Sequence, residues 1–277
     1  MSFSAFVDVG HSGETLLKVR YCKDREADTF FEWRGSVFAY LPGQPPKKVF
    51  ECLGMNVSKA YIENGKLLST SRELTYFLDP VTHQKLDKWE NPWTEEKLPV
   101  IHIANDPVQM ALPSNIPLDL RLNPHSKIAS IVAEVPLFYP NPLATPDGKF
   151  DAYDPNKMYQ AGEFFTFRCS SEDLEKSVID NVDVNWTRMC RFAPFMKMGS
   201  SPGYLIFHCT GYKLPNGSTY KQLDPLLVNE IEQDMVLYKE APSSYDPNVK
   251  SVSSWSYFRQ HYDRYDSDRD AKWPVPT

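Results

Sequence analysis

The chain has 277 residues, a formal net charge of −6 and a sequence pI of 5.6. That length suits one large domain, and the acidic balance argues against a nucleic-acid partner, which asks for a basic face. Cysteines stand at Cys22, Cys52, Cys169, Cys190 and Cys209, an odd number with no Cys-x-x-Cys pair. Zinc-knuckle and thioredoxin-type readings therefore fail, and free thiols in a reducing, cytoplasmic setting are expected. In chain order, residues 1–28 read as an N-terminal extension packing on a single β-rich domain that spans 1–277. The opening residues lack a basic region followed by an apolar run, so no secretory leader is expected, and no stretch has membrane-span length. Thr29–Tyr40 is rich in aromatic and β-branched residues and predicts a strand. Further strands are predicted at Val49–Gly54, Asn56–Ile62 and Leu67–Leu78, the last two joined by a hairpin turn at Asn64-Gly65. Leu98–Ala104, Ile128–Val135, Glu163–Cys169, Val184–Phe192 and Tyr204–Tyr212 continue the series. Residues 136–160 form a proline-rich loop, of a length that is usually functional or mobile. Helical signals are few: a short one from Ser170, then Pro225–Met235 and Val252–Tyr265.

About nine strands with short turns favour a single antiparallel β-barrel, calycin-like or related, with a few short peripheral helices. There is no glycine-rich phosphate loop and no His-x-His or His-x-x-x-His pair. No cofactor or metal is expected on those grounds.

The densest chemistry lies between Arg72 and Val108. His102, Asn105 and Asp106 combine a group that titrates near neutrality, an amide donor and a carboxylate. The alternative is a turn at Asn105-Asp106-Pro107, with Asp106 bonded to nearby amides. Arg72 and Glu73 are neighbours, so on a strand they face opposite ways and one of them points inward. Arg72 is expected to bind a ligand anion or to form a structural ion pair. Glu163 lies among phenylalanines, where burial raises a carboxyl pKa and suits a general acid; the alternative is pairing with Arg168, Arg188 or a backbone donor. Trp186 and Arg188 share one strand face, as a stacking and anion-binding pair or as a packed indole beside a buried ion pair. Trp255 and Tyr257 seal a pocket mouth or pack over a barrel end. His208, alone in an apolar strand, reads as a core histidine.

The run Arg72-Glu73, Tyr76, Asp79-Pro80, with Trp89, Asn91-Pro92, Thr94 and His102 through Val108, resembles the family named domain of unknown function 1838. Tyr159 to Glu163, Trp186-Thr187-Arg188, Pro194-Phe195-Met196, Gly211 to Leu214 and Ser254 to Phe258 carry the same resemblance, over roughly Thr29 to His261. The family pattern has glycine where this chain has His83 and Glu95, which bears on turn geometry more than on chemistry. The resemblance implies membership and no particular activity.

The functional expectation is a cofactor-independent isomerase, cyclase or dehydratase acting on a small, largely apolar metabolite in a barrel cavity. His102, Asp106 and Glu163 move protons. Arg72, Asn105 and Arg188 hold polar groups, while Tyr76, Trp186, Trp255 and Tyr257 form walls. The alternative is a non-catalytic binding protein for a lipophilic or aromatic small molecule. Partners are then a small molecule, with no nucleic acid and no membrane, and a homodimer stays open.

Overall fold

The computed structural model describes residues 12–123 and 125–277. The opening residues 1–11, read above as part of an extension without a leader, lie outside the described residues. The chain runs α1 (Ser12–Arg20), β1 (Thr29–Tyr40), β2 (Lys47–Glu63), β3 (Lys66–Leu78), β4 (Lys88–Glu90), β5 (Lys97–Pro99), β6 (Ile103–Pro113), β7 (Asp119–Asn123) and β8 (Ile128–Pro140). It continues as β9 (Met158–Ser170), β10 (Asp183–Cys190), β11 (Tyr204–Lys213), α2 (Pro225–Gln233), α3 (Ser254–Gln260) and α4 (Tyr262–Ser267). Nine strands form one antiparallel sheet in the order β6-β3-β2-β1-β11-β10-β9-β8-β7, and β4 pairs with β5.

The sheet corrects the expectation of a barrel. It is a curled half-barrel, β-rich with a few short helices, and it does not close. β6 and β7 are its edges, and β7 reaches only the first part of β8, pairing Asp119–Asn123 with Ile128–Val132. Closure needs a continuous partner for both edges, and neither edge finds one.

β1 and β11 approach each other closely at two glycines. A Cβ on Gly35 would lie 2.2 Å from the His208 carbonyl oxygen, and one on Gly211 would lie 2.2 Å from that of Glu32. Only glycine permits strands to bend so far toward each other. Across Gly35 the side chains of β2 and β11 meet directly, with the Cys52 and Cys209 sulfurs 3.4 Å apart. Phe77 of β3 and Phe207 of β11 also come together over the hollow, ring centroids 6.1 Å apart.

The two walls differ in their outer cover. β2 is buried on both faces, and β3 presents Leu74, Tyr76 and Leu78, all buried, to the outside. Leu227 and Ile231 of α2 and Tyr238 belong to the same core as these β3 residues. On β8, outward residues such as Phe138 are exposed and inward ones are covered or half-covered. The alternation is that of a sheet with one wet face.

Both ends of the hollow are stopped. At one end α1 bridges the walls. Val19 packs with Phe31, Ile131 and Phe167, while Leu16, Leu17 and Tyr21 pack with Ala60 and Leu67. The buried Lys213 ammonium donates to the carbonyls of Lys18, Tyr21 and Ile179 at 2.7–3.0 Å and fixes the end of this helix. At the other end lie α3 and α4, in place of the single helix expected over Val252–Tyr265. Trp255 stands edge-on to Tyr159 at 4.6 Å. The proline-rich segment is also shorter than expected, because β8 runs through Pro136 to Pro140 and β9 begins at Met158. What remains is pinned. The Asn141 amide donates to Asn156 O at 2.8 Å, and the fully buried Asp154 accepts from Trp255 Nε1 at 3.0 Å.

Two turns share one hydrogen-bond design. Asp79 Oδ1 accepts from the N–H groups of Val81 and Thr82, and His83 N–H bonds back to Asp79 O. Asn91 Oδ1 accepts from Trp93 and Thr94, and Glu95 N–H bonds back to Asn91 O. His83 and Glu95, at the two positions where the resembled pattern has glycine, both hold φ of +59°. The turn geometry thus survives without glycine, at the steric cost of a left-handed side-chain-bearing residue. His83→Gly and Glu95→Gly should each raise stability by roughly 0.5–1 kcal/mol, read as an upward shift of the thermal midpoint. A downward shift in both would refute this account.

Candidate functional site

Side chains alternate along a strand, so one parity of each strand lines the hollow. The inward row of β3 is Ser71, Glu73, Thr75 and Phe77, facing Asn56, Gly54 and Cys52 of β2 across the ladder. β6 adds Ile103 and Asn105, which pair in register with Thr75 and Glu73. On the other wall, Trp186 and Arg188 of β10 pair with Phe165 and Glu163 of β9. Trp33 of β1 lies between the walls, its indole seated over Gly54, where any Cβ would collide with the ring at 2.6 Å.

These residues meet in one chamber. Arg188 forms an ion pair with Glu163 and also donates to the Tyr159 hydroxyl at 2.5 Å. Asn105 Nδ2 donates to Glu73 Oε2 at 3.3 Å. Trp33 and Trp186 stand edge to face with centroids 5.8 Å apart, and Phe165 and Phe207 flank Trp186. From the stopper, Arg20 donates to Asn56 Oδ1 at 3.0 Å while its guanidinium lies over the Phe31 ring. The Glu163 and Arg188 side chains remain 18% and 21% exposed, so solvent reaches this ion pair.

The electrostatics separate the groups. Burial raises the pKa of Glu73, and the nearby Glu163 carboxylate raises it further; the Asn105 bond, Arg20 and Arg188 pull it partly back. Burial would lower the pKa of Arg188, but Glu163 and Tyr159 outweigh it and raise it well above the ordinary value. The Tyr159 phenol is pushed up chiefly by burial. One carboxyl, with its pKa raised, thus stands across from a carboxylate–guanidinium pair.

Several buried polar atoms on this concave face have no hydrogen-bond partner among the described residues. They are Trp33 Nε1, Trp186 Nε1, Asn56 Nδ2, Arg20 Nη1, Thr29 Oγ1 and Asn105 Oδ1. Native proteins leave few such groups unpaired in their interiors. Ordered water is a common partner of such groups.

The expected site residues divide between two faces. Asn105, Glu163, Trp186 and Arg188 stand on the inward rows of their strands, and Trp255 packs on Tyr159 at the end of the hollow. His102 reaches the edge of a small void of about 30 Å³ together with Phe77, Arg188, Cys190 and Trp255. That volume holds roughly two waters and no metabolite. His102 is 1% exposed, its Nδ1 accepts the Phe77 N–H at 3.0 Å, and burial, with a smaller effect of Lys85, lowers its pKa to about 3. Burial thus favours its neutral form.

Arg72, Tyr76 and Asp106 lie on the outer side of their strands, because the parity that turns Glu73 inward turns them outward. Arg72 Nε bonds Asp106 Oδ1 at 2.9 Å, and its Nη1 donates to Glu240 O at 2.6 Å. This is the structural ion-pair alternative. Tyr257 lies under the C-terminal segment, its hydroxyl accepting the Val275 N–H at 2.9 Å. Asp106→Asn should cost about 1–3 kcal/mol in denaturant unfolding, since Arg72 loses a partly buried partner. Ligand binding in the chamber should not change, and a loss of binding without a loss of stability would place Asp106 in the site.

The sequence reading did not select Glu73, Trp33, Asn56, Tyr159 or Arg20. Their signal was present in β3, whose apolar set Leu74, Tyr76 and Leu78 needs a cover of its own. Its polar set Ser71, Glu73 and Thr75 then belongs to the hollow.

Among the described residues no group of three His, Cys, Asp or Glu side chains is placed to hold a metal ion. No helix among them is long and apolar enough to cross a membrane. The family model described as "Protein of unknown function (DUF1838)" matches residues 26–262, and the chain belongs to that family. No curated protein matches the sequence.

Proposed function

We propose that this member of the family is a cofactor-independent enzyme acting by acid–base catalysis on a small, largely apolar metabolite held in the half-barrel. An isomerase, cyclase or dehydratase fits, since each needs only positioned proton donors and acceptors in a shaped cavity. The observation that carries the reading is the half-buried Glu73 carboxyl on one wall, within electrostatic reach of the Glu163–Arg188 pair on the other. Glu73 takes the proton-moving role in place of His102 and Asp106. Environments that push neighbouring titratable groups apart are how one site supplies both an acid and a base. Glu163 holds Arg188 toward the ligand, and Trp33, Phe165 and Trp186 form an apolar lining.

The test compares small molecules in the native host with and without the gene by untargeted mass spectrometry. A compound that accumulates without the gene, and that purified protein converts to an isomer or a dehydrated product, supports catalysis. Altered amounts of a compound that binds unchanged would replace the enzyme with a carrier.

A further inference from the structure

A sheet face turned to water is normally polar. On the outer face of β8, β9, β10, β11 and β1 that rule fails along one row. Pro136 pairs in register with Gly162, Gly162 with Met189, Met189 with Ile206, and Ile206 with Phe38. These residues have the opposite parity to Trp186 and Arg188, so they face away from the hollow. No polar or charged side chain interrupts them. The Phe164 ring lies against the Gly162 backbone, where an added Cβ would stand 3.1 Å from it. On one side the row is extended by Phe138 and by Tyr40 and Tyr204, whose rings stack at 5.3 Å. On the other side the face turns polar at Thr187, His208 and Ser36, which also pair in register.

The patch is wide and open to water. Phe138 is 69% exposed, and Phe164, Met189, Tyr204 and Met158 are each 36–45% exposed. At about 200 Å² for a side chain of this size, these five alone leave roughly 450 Å² of mostly apolar surface in water. Exposed Pro136 and half-buried Phe38, Tyr40 and Ile206 enlarge it. Apolar patches of about 300–600 Å² are the largest that monomers commonly show, and they are often functional. A standard interface takes about 800 Å² from each partner, as an apolar core inside a polar rim. The patch and its polar border have that size and that anatomy.

The layout also fits its own image. β10 is the middle one of the five strands. Rotation of a second copy by half a turn about an axis along β10 sets Met189 against Met189, and Pro136 and Phe138 of β8 against Phe38 and Tyr40 of β1. The aromatic side chains thereby stand at the flanks, where a curled sheet falls away from its partner and long side chains are needed to keep contact. We propose that this face is the two-fold interface of a homodimer, with the outer faces of two sheets packed across β10.

Sedimentation equilibrium of the full chain tests the proposal. The native protein should run at about twice its chain mass of 31.9 kDa at micromolar concentrations. Met189→Glu and Met189→Lys each place two like charges against each other at the axis. Each should raise the dimer dissociation constant at least about 100-fold. Mixed one to one, the two variants should regain the dimer, because opposite charges then meet. Phe138→Asp, on the most exposed side chain of the patch, is an independent variant and should weaken the dimer about ten-fold. Thr210→Glu, on the polar half of the same face, should leave it unchanged. Thermal melts show that each variant keeps its fold. A native protein that stays monomeric, a dimer that survives the Met189 and Phe138 variants, or a Met189 mixture that stays monomeric would each overturn the proposal. So would a native monomer that floats with phosphatidylcholine vesicles, which would assign the face to a lipid surface.

Discussion

Gly35→Ala should abolish the soluble folded protein or lower its stability by more than about 4 kcal/mol. The new methyl would stand 2.2 Å from the His208 carbonyl oxygen, 2.6 Å from Cys209 Cα and 2.7 Å from Cys209 Sγ. Two of these three neighbours are backbone, so no rotamer change relieves them. Strand β11 would have to move away from β1, and the ladder from Phe31–Lys213 to Tyr40–Tyr204 runs through that point. The curl that brings the β3 and β10 walls together would open with it. The clash has a side-chain part and a backbone part, and they separate experimentally. Adding Cys209→Ala removes the sulfur contact alone and should recover little. Full rescue by that second change would mean that crowding with sulfur, and not the closeness of the strands, requires glycine. Circular dichroism and a denaturant melt of the single and double variants read the result.

Much of this architecture was legible in the sequence, and the unreadable parts share one cause. Thr29–Tyr40 is the predicted strand to the residue, and the Asn64-Gly65 turn holds the two positive φ values, 50° and 74°, that its hairpin requires. Both are local matters of propensity and turn chemistry. The expected break between Val49–Gly54 and Asn56–Ile62 is absent, because β2 is a single long strand that bends over its two neighbours. Closure was not legible either. It depends on what pairs with the edge strands β6 and β7, and here the segment before α3 lies along β6. Val252 N–H bonds Pro107 O at 2.8 Å, and the Gln109 side-chain amide donates to the carbonyls of Asp246 and Val249. These contacts join residues more than 130 positions apart along the chain.

The candidate site was half legible for a related reason. Alternation established that Arg72 and Glu73 face opposite ways, and that Trp186 and Arg188 face the same way. It could not say which parity is inward. The usual rule places the apolar face against the core, but this wall has two cores. Leu74, Tyr76 and Leu78 are buried outside the sheet against α2 and the Val236–Lys239 turn. The polar row is therefore the one turned to the chamber. The prediction of a raised carboxyl pKa rested on sound physics, and in the fold that condition belongs to Glu73.

Glu73→Gln should reduce turnover of the host substrate by at least about 10²-fold while ligand affinity stays within a few-fold, because the amide keeps the size of the side chain and loses the transferable proton. The same substitution carries a signature that does not depend on knowing the substrate. Glu73 has a higher pKa in the folded chain than in the unfolded one, since burial and Glu163 both oppose its ionisation. Between the unfolded value and the raised folded value, the native state binds more protons than the unfolded state. Stability from this group is thus fully present below the unfolded pKa and is lost as pH rises through the folded pKa. Gln cannot ionise and has no such loss. The variant should therefore melt at a higher temperature than the native protein at pH 8, with the difference shrinking toward pH 4. A stability gain at pH 8 together with lost turnover would identify a residue that costs the fold stability in order to act, as strained functional groups do. A stability loss at every pH, with turnover falling in proportion to the folded fraction, would make Glu73 a structural partner of Asn105. Arg188→Met separates the chamber's two carboxylates in the same assay. It strips Glu163 of its guanidinium and should destabilise the protein by about 1–3 kcal/mol, after allowance for the partial exposure of the pair, and adding Glu163→Gln should recover most of that loss. Glu73→Gln should show no such rescue by Glu163→Gln, because the two glutamates oppose each other and are not partners.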